Sequence, residues 1–212
     1  MRGKAVLLAP VSGDRDYELL SEWSSSASWL HASGSCCYLT PQEVKEMVLQ
    51  PGIKWLMVRT HDNRAIGAVN WHSLEYPQSF TVGSAIGDEA LWGAGYGMES
   101  ILLLAQFLFH SQNAHKIQFV IGTFNKAMVE VFCQGPIHIE GILRDHYFVD
   151  NAYHDAIIGS ILRNEYYSVL DTLQLSVEDA IPRSEKNAAR KIVQEHLVTN
   201  PITLRDGDVA RC

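Results

Sequence analysis

Apolar and polar positions alternate with two different periods along this chain, and each change of period marks an element. Residues 5–9 (A-V-L-L-A) form a short apolar run closed by Pro10, which reads as a first strand. Helical spacing follows, with Tyr17, Leu19, Leu20 and Trp23 on one face of a helix over residues 14–23 that Asp14 can cap. Ser24, Ser25 and Ser26 read as a turn between helices, because Trp29 and Leu30 resume the apolar pattern at once; Gly34 then punctuates. Thr40-Pro41-Gln42-Glu43 has the capping-box pattern with proline at the first helical position, and that helix ends near Pro51-Gly52.

Three extended runs come next, residues 53–60, 65–74 and 78–87, joined by short polar turns. They predict an antiparallel meander. An apolar helical run over residues 100–110, a strand at 115–121 and a helix at 125–134 follow, the last stopped by Gly135-Pro136. Residues 137–149 and 153–163 form a final hairpin turning at 150–152, and no internal repeat is visible.

Between the third strand of the meander and the apolar helix lies I-G-D-E-A-L-W-G-A-G-Y-G-M-E, residues 86–99. Gly93, Gly95 and Gly97 allow backbone conformations and close approaches that a Cβ would forbid. The amides opening the next helix, with its dipole, favour an anion. Strand, glycine-rich turn and helix together make a candidate phosphate or pyrophosphate cradle. Neither the G-x-G-x-x-G spacing of dinucleotide folds nor a Gly-Lys-Ser/Thr is present. A ligand-free tight turn is the bland alternative.

The run W-G-A-G-Y-G-M-E-S resembles the acyl-CoA pyrophosphate loop of the GNAT superfamily of N-acyltransferases, in particular its RimJ/RimL-like branch. H-K-I-Q-F-V-I-G-T-F-N-K-A-M-V-E-V-F, Glu140-Gly141-Ile142-Leu143-Arg144, Tyr153-His154-Asp155 and Ile161-Leu162-Arg163 fall in the family's order, so the resemblance covers about residues 4–166. It implies an α/β (α+β) GNAT fold: a mixed, mostly antiparallel twisted sheet of about seven strands flanked by helices. It implies an acyltransferase domain over residues 1–166, leaving 167–212 as a C-terminal helical extension or tail. It further implies acetyl-CoA or another acyl-CoA as co-substrate and a primary amine acceptor, on a small molecule or a protein N-terminus, attacking the thioester directly.

The resemblance places Ser84, Ala85 and Ile86 along the pantetheine, with Gly83 as a possible bulge, and Trp92, Gly93, Ala94, Gly95, Tyr96, Gly97 and Met98 around the phosphates. Asn125 reads as a helix N-cap, and in the family the same position also touches the cofactor arm. Where many relatives have a proton-donating tyrosine this chain has Phe132, which can pack against the cofactor but has no proton to give. The serine and glutamate proposed as acid and base in RimL-like relatives correspond to Met128 and Tyr147. Tyr147, His154 and His72 are the candidate catalytic residues, with His146 and Cys133 also near the expected cleft; proximity with water relays, or binding without transfer, are the alternatives. A donor linked to a carrier protein or a tRNA is a further one. Asp155 reads as structural, or as orienting His154.

Composition narrows the setting. The chain has 212 residues, enough for one domain with a full core, and 47% hydrophobic with 19% charged residues is ordinary for a globule. A net charge of −7 argues against non-specific nucleic-acid binding and suits a cationic acceptor such as an amine. Cys36, Cys37, Cys133 and Cys212 lack zinc-ligand spacing, and no metal constellation is apparent. No signal peptide or transmembrane-length run is visible, so a cytoplasmic protein is expected, with a homodimer as an open alternative to a monomer. In the extension Leu170, Leu173, Leu175, Val177 and Ile181 can anchor a surface helix, whereas residues 205–208 look solvated.

Overall fold

The computed structural model describes residues 1–172, 177 and 179–201. Leu173, Leu175, residues 205–208 and Cys212 lie outside the described residues. The chain divides into two compact units, Met1–Leu175 and Ser176–Cys212.

The first unit is built on a seven-stranded sheet of order β1-β2-β3-β4-β5-β7-β6. Its strands are β1 (Val6–Pro10), β2 (Ile53–Thr60), β3 (Ala65–Ser73), β4 (Ser79–Ile86), β5 (Lys116–Gly122), β6 (His138–Val149) and β7 (Ala152–Leu162). Only β4 and β5 run parallel, so the sheet is mixed and mostly antiparallel, as the resemblance implied. The β6–β7 turn places Asp150 and Asn151 at φ 51° and 61°, a backbone these two residue types tolerate.

Strand alternation sends side chains to two faces, and each face has its own core. Val58, Val69 and Val82 point to one side, where they meet Leu104, Leu108 and Phe109. These come from α4 (Tyr96–Gln106) and the π-helical turn Phe107–Ser111 that follows it. Arg163 holds the end of that turn, its Nη1 donating to the carbonyls of Phe109 (2.6 Å) and Ala114 (3.1 Å). On the other side Met57 and Ala68 pack with Leu20, Trp23 and Val44. That face is covered by α1 (Asp14–Ser24), α2 (Ala27–Ser33) and α3 (Pro41–Leu49).

Local chemistry explains most helix ends. Thr40 accepts from the Glu43 amide while the Glu43 carboxylate accepts from the Thr40 amide, the reciprocal box read from sequence. Ser26 caps α2 by accepting from the Trp29 amide, and Gly34 ends it at φ 71°. Asp14, by contrast, is not a cap: Gly13 holds the cap position of α1 with no side-chain bond. The nearby carboxylate that matters is Asp16, buried, accepting from the Ser12 amide (2.8 Å) and from Arg59 (2.5 Å). α4 begins at Tyr96, one turn before the predicted helix, so the glycine-rich segment itself enters the helix.

The first unit also contains a short 3-10 turn at Glu89–Leu91 and two further helices, α5 (Lys126–Gln134) and α6 (Arg163–Thr172). Tyr166 of α6 stacks on Phe109 (4.7 Å), and burial raises its phenol pKa to about 12. The second unit contains α7 (Arg183–Thr199), all of whose residues are exposed.

Candidate active site

β4 has two unlike edges. Against β3 its register is unbroken from Ser73↔Phe80 to Gly67↔Ile86. Against β5 it pairs only through Ser79↔Lys116, Phe80↔Ile117 and Thr81↔Gln118, after which the two parallel strands part. Gly83 is therefore no bulge in the β3 ladder; an added Cβ there would meet Asn70 Oδ1 at 3.1 Å. Since the Gly87 amide donates to Ile66 O on the β3 side, alternation turns the backbone of Ser84 and Ile86 to the open side and that of Ala85 to β3. Trp92 Nε1 takes the Ile86 carbonyl (3.1 Å), which leaves the backbone of Ser84 and the Ile86 amide facing the gap.

The glycine-rich segment closes one end of this gap. Gly93 and Gly95 adopt φ 75° and 87°, and an added Cβ at either would meet nothing within 4 Å, so both face open space. Gly95 stands at the N-cap of α4 without a side-chain bond, and the amides of Tyr96, Gly97 and Met98 have no backbone acceptor among the described residues. Donors converging on a concavity at a helix N-terminus fit an anionic diphosphate. Glu99, in the first turn of α4, is occupied elsewhere: its carboxylate accepts from the amides of Lys4 and Ala5 and fixes the N-terminal segment. Ser100, fully buried, bonds to Ser84 Oγ (2.9 Å) and Gly97 O (2.7 Å), locking α4 to β4.

A cleft of about 350 Å³ runs from this segment along β4, lined by Ser84, Ala85, Ile86, Trp92, Gly93, Gly95, Tyr96, Gly97, Met98 and Asn125 among others. Ala94 is not part of the lining. Asn125 uses both ends of its amide: Oδ1 accepts from the Met128 amide (3.2 Å), capping α5, and Nδ2 donates to His31 O (3.3 Å). Phe132 lies elsewhere. It is 3% exposed in the core, edge-on to Phe119 (6.1 Å), and it occupies space left by Gly159, where a Cβ would sit 2.6 Å away. On α5 the cleft wall is Ala127, Met128 and Val131 instead.

A second cavity, about 200 Å³, shares Ala32, Ser84 and Ala85 with the first. Its remaining walls include Trp29, Asn70, Thr81, Val120 and Tyr147. The Tyr147 ring packs edge-on to Phe124 (5.7 Å) and directly over Gly34, where any Cβ would overlap it. Half-buried, its phenol is pushed above its usual pKa by desolvation and stays protonated at neutral pH. The other two catalytic candidates, both histidines, line neither cavity, and nor do His146 and Cys133. His154, opposite Tyr147 in the hairpin, packs on Phe124 (5.5 Å). His72 pairs with Thr81, at the end of β4 still closed on β5.

Residues absent from the sequence reading complete the site. His31 stacks on Trp92 (5.2 Å) and meets Phe124 edge-on (6.2 Å), so aromatic rings run without a break from the glycine-rich segment to Tyr147. Gly122 admits this arrangement, since a Cβ there would strike the Phe124 ring. A larger cavity of about 710 Å³ beside α1 shares no lining residue with these two, and its Arg59 and Arg64 are paired with Asp16 and Asp88. Among the described residues no cluster of His, Cys, Asp and Glu could hold a metal, and no helix is long and apolar enough to cross a membrane.

Residues 6–133 match the family model described as "Acetyltransferase (GNAT) domain", and the chain belongs to that family. A spermidine N-acetyltransferase from Vibrio cholerae, solved with CoA and spermine, is structurally similar at TM-score 0.69 and 18% identity. The likeness covers 76% of this chain and 98% of that one. A GNAT-family acetyltransferase from Bacillus anthracis has TM-score 0.65 and 17% identity over 77% of this chain and 98% of its own. A probable GNAT-family acetyltransferase from Chromobacterium violaceum has TM-score 0.65 and 19% identity over 78% and 87%. A sequence search of curated proteins gives no match.

Proposed function

We propose that this protein is an acyl-CoA-dependent N-acetyltransferase of the RimJ/RimL-like kind, acting in the cytoplasm on a primary amine. The observation that carries this reading is the parting of β4 from β5 beyond Thr81, with the open-faced glycines at one end and Tyr147 at the other. Bound acyl-CoA would supply an electrophilic thioester carbonyl and a thiol leaving group. Gly93, Gly95, Tyr96, Gly97 and Met98 would hold its diphosphate through their amides. The Ser84 amide, facing the gap at the shared wall of the two cavities, would polarise the carbonyl.

In the transfer the amine nitrogen bonds to the carbonyl carbon, the carbon–sulfur bond breaks, and the nitrogen loses a proton as the sulfur gains one. Tyr147 is the proton donor of this account, reaching from β6 to the wall that Ser84 shares between the two cavities. It takes over the role that Phe132, buried and without a hydroxyl, does not fill. The test is thiol release from acetyl-CoA with a panel of amines. Release that depends on one class of amine supports the reading. Binding of acetyl-CoA with no release above background would favour a silent acyl-CoA-binding protein.

A further inference from the structure

The second cavity also bears on what the amine carries. Among its lining residues no side chain is charged. It offers neutral polar groups instead: the Asn70 amide, the Thr81 hydroxyl and the Tyr147 phenol all reach it, and none has a hydrogen-bond partner among the described residues. Trp29 supplies an aromatic wall, stacked nearly parallel (12°) on Trp55 at 6.1 Å. At about 200 Å³ the space lies below the roughly 300–1,000 Å³ usual for small-molecule sites.

We propose, resting on the transferase reading above, that the acceptor is a small monoamine with an uncharged body, and that polyamines are poor acceptors. A second ammonium would enter a half-open cavity whose lining holds no carboxylate to pair it, and a charge that loses part of its water without gaining a partner is disfavoured. The same desolvation lowers the pKa of the reacting amine and favours its neutral, nucleophilic form without a dedicated base. This accounts for a site in which His72 and His154 line neither cavity. The net charge of −7 still draws an ammonium toward the surface, a long-range effect distinct from selection inside the cavity. In acceptor choice the protein thus departs from the spermidine N-acetyltransferases whose fold it shares.

The experiment compares pentylamine with 1,5-diaminopentane, which share one carbon chain and differ by one charge. Thiol release should show kcat/KM for pentylamine higher by at least about tenfold, the effect of one unpaired charge partly shielded by solvent. Asn70→Asp, an isosteric change that adds a carboxylate, should move the ratio toward the diamine by a similar factor, with acetyl-CoA affinity retained as the sign of an intact fold. Equal use of the two amines by the wild type would overturn the proposal and leave the transferase reading standing. No binding of acetyl-CoA in calorimetry would overturn both. If acetyl-CoA binds and no amine releases thiol, the transferase reading fails and the acceptor proposal, which rests on it, is overturned with it.

Discussion

The two cavities share a wall at Ser84 and Ala85 but are made of different materials. The larger draws its polar end from backbone, namely glycines at positive φ, the first amides of α4 and the open edge of β4, and the rest of its wall from apolar side chains such as Leu91, Ile101, Met128 and Val131. The smaller presents side chains from α2, β3, β4, β5 and β6. Backbone donors are common to every sequence with this turn, and they suit a ligand part that does not vary. Side chains vary freely, and they suit selection. The donor end of such a site is thus set by the fold, and the acceptor end by a handful of residues.

Substitutions can break this division of labour. Gly95→Asp should have the largest effect, because it puts a Cβ at φ 87° and a carboxylate where a diphosphate is expected. We expect CoA affinity to fall at least about a hundredfold in calorimetry; an unchanged affinity would remove the segment from the site. Gly34→Ala acts at the other end. Its methyl would overlap the Tyr147 ring at a φ of 71°, so turnover should drop more than tenfold, on the scale of about 1–3 kcal/mol for such strain, while CoA affinity holds. Tyr147→Phe keeps the ring and removes the proton, and should lower kcat about tenfold or more. An unaltered rate would clear the hydroxyl of that role.

The smallest expected effect lies outside both cavities. Glu140 accepts from Lys116 Nζ (2.8 Å) and Ser160 Oγ (2.7 Å), and these bonds hold its carboxyl below the usual value. A lowered folded-state pKa gives stability that is present above the unfolded carboxyl pKa and is lost as the pH falls through the folded value. Glu140→Gln should therefore destabilise at neutral pH, by less than about 1 kcal/mol for a pair this open to solvent. The difference should vanish in acid melts, with CoA affinity untouched throughout.

How much of this was legible in the sequence follows the same line. The meander, the capping box at Thr40 and the glycine-rich turn are contiguous, so spacing alone reveals them. The smaller cavity is assembled from distant segments, and nothing local marks Asn70, Thr81 and Tyr147 as neighbours. Gly34 and Gly122 look like ordinary loop glycines until the rings of Tyr147 and Phe124 are seen to occupy their missing side chains. The resemblance sets Phe132 where many relatives have a proton donor, yet Gly159 opens a hole in the sheet face that takes its ring into the core. His72 has the right strand and the right face, but it sits where β4 is still paired to β5.

The central claim is that the amides around Gly95 and the open edge of β4 hold the acyl donor. Amide hydrogen exchange on the whole protein, with and without CoA, tests it most directly. The account predicts slowed exchange concentrated in residues 93–98 and 84–86, with the β6–β7 turn unchanged. Protection elsewhere with none in those two segments would contradict it.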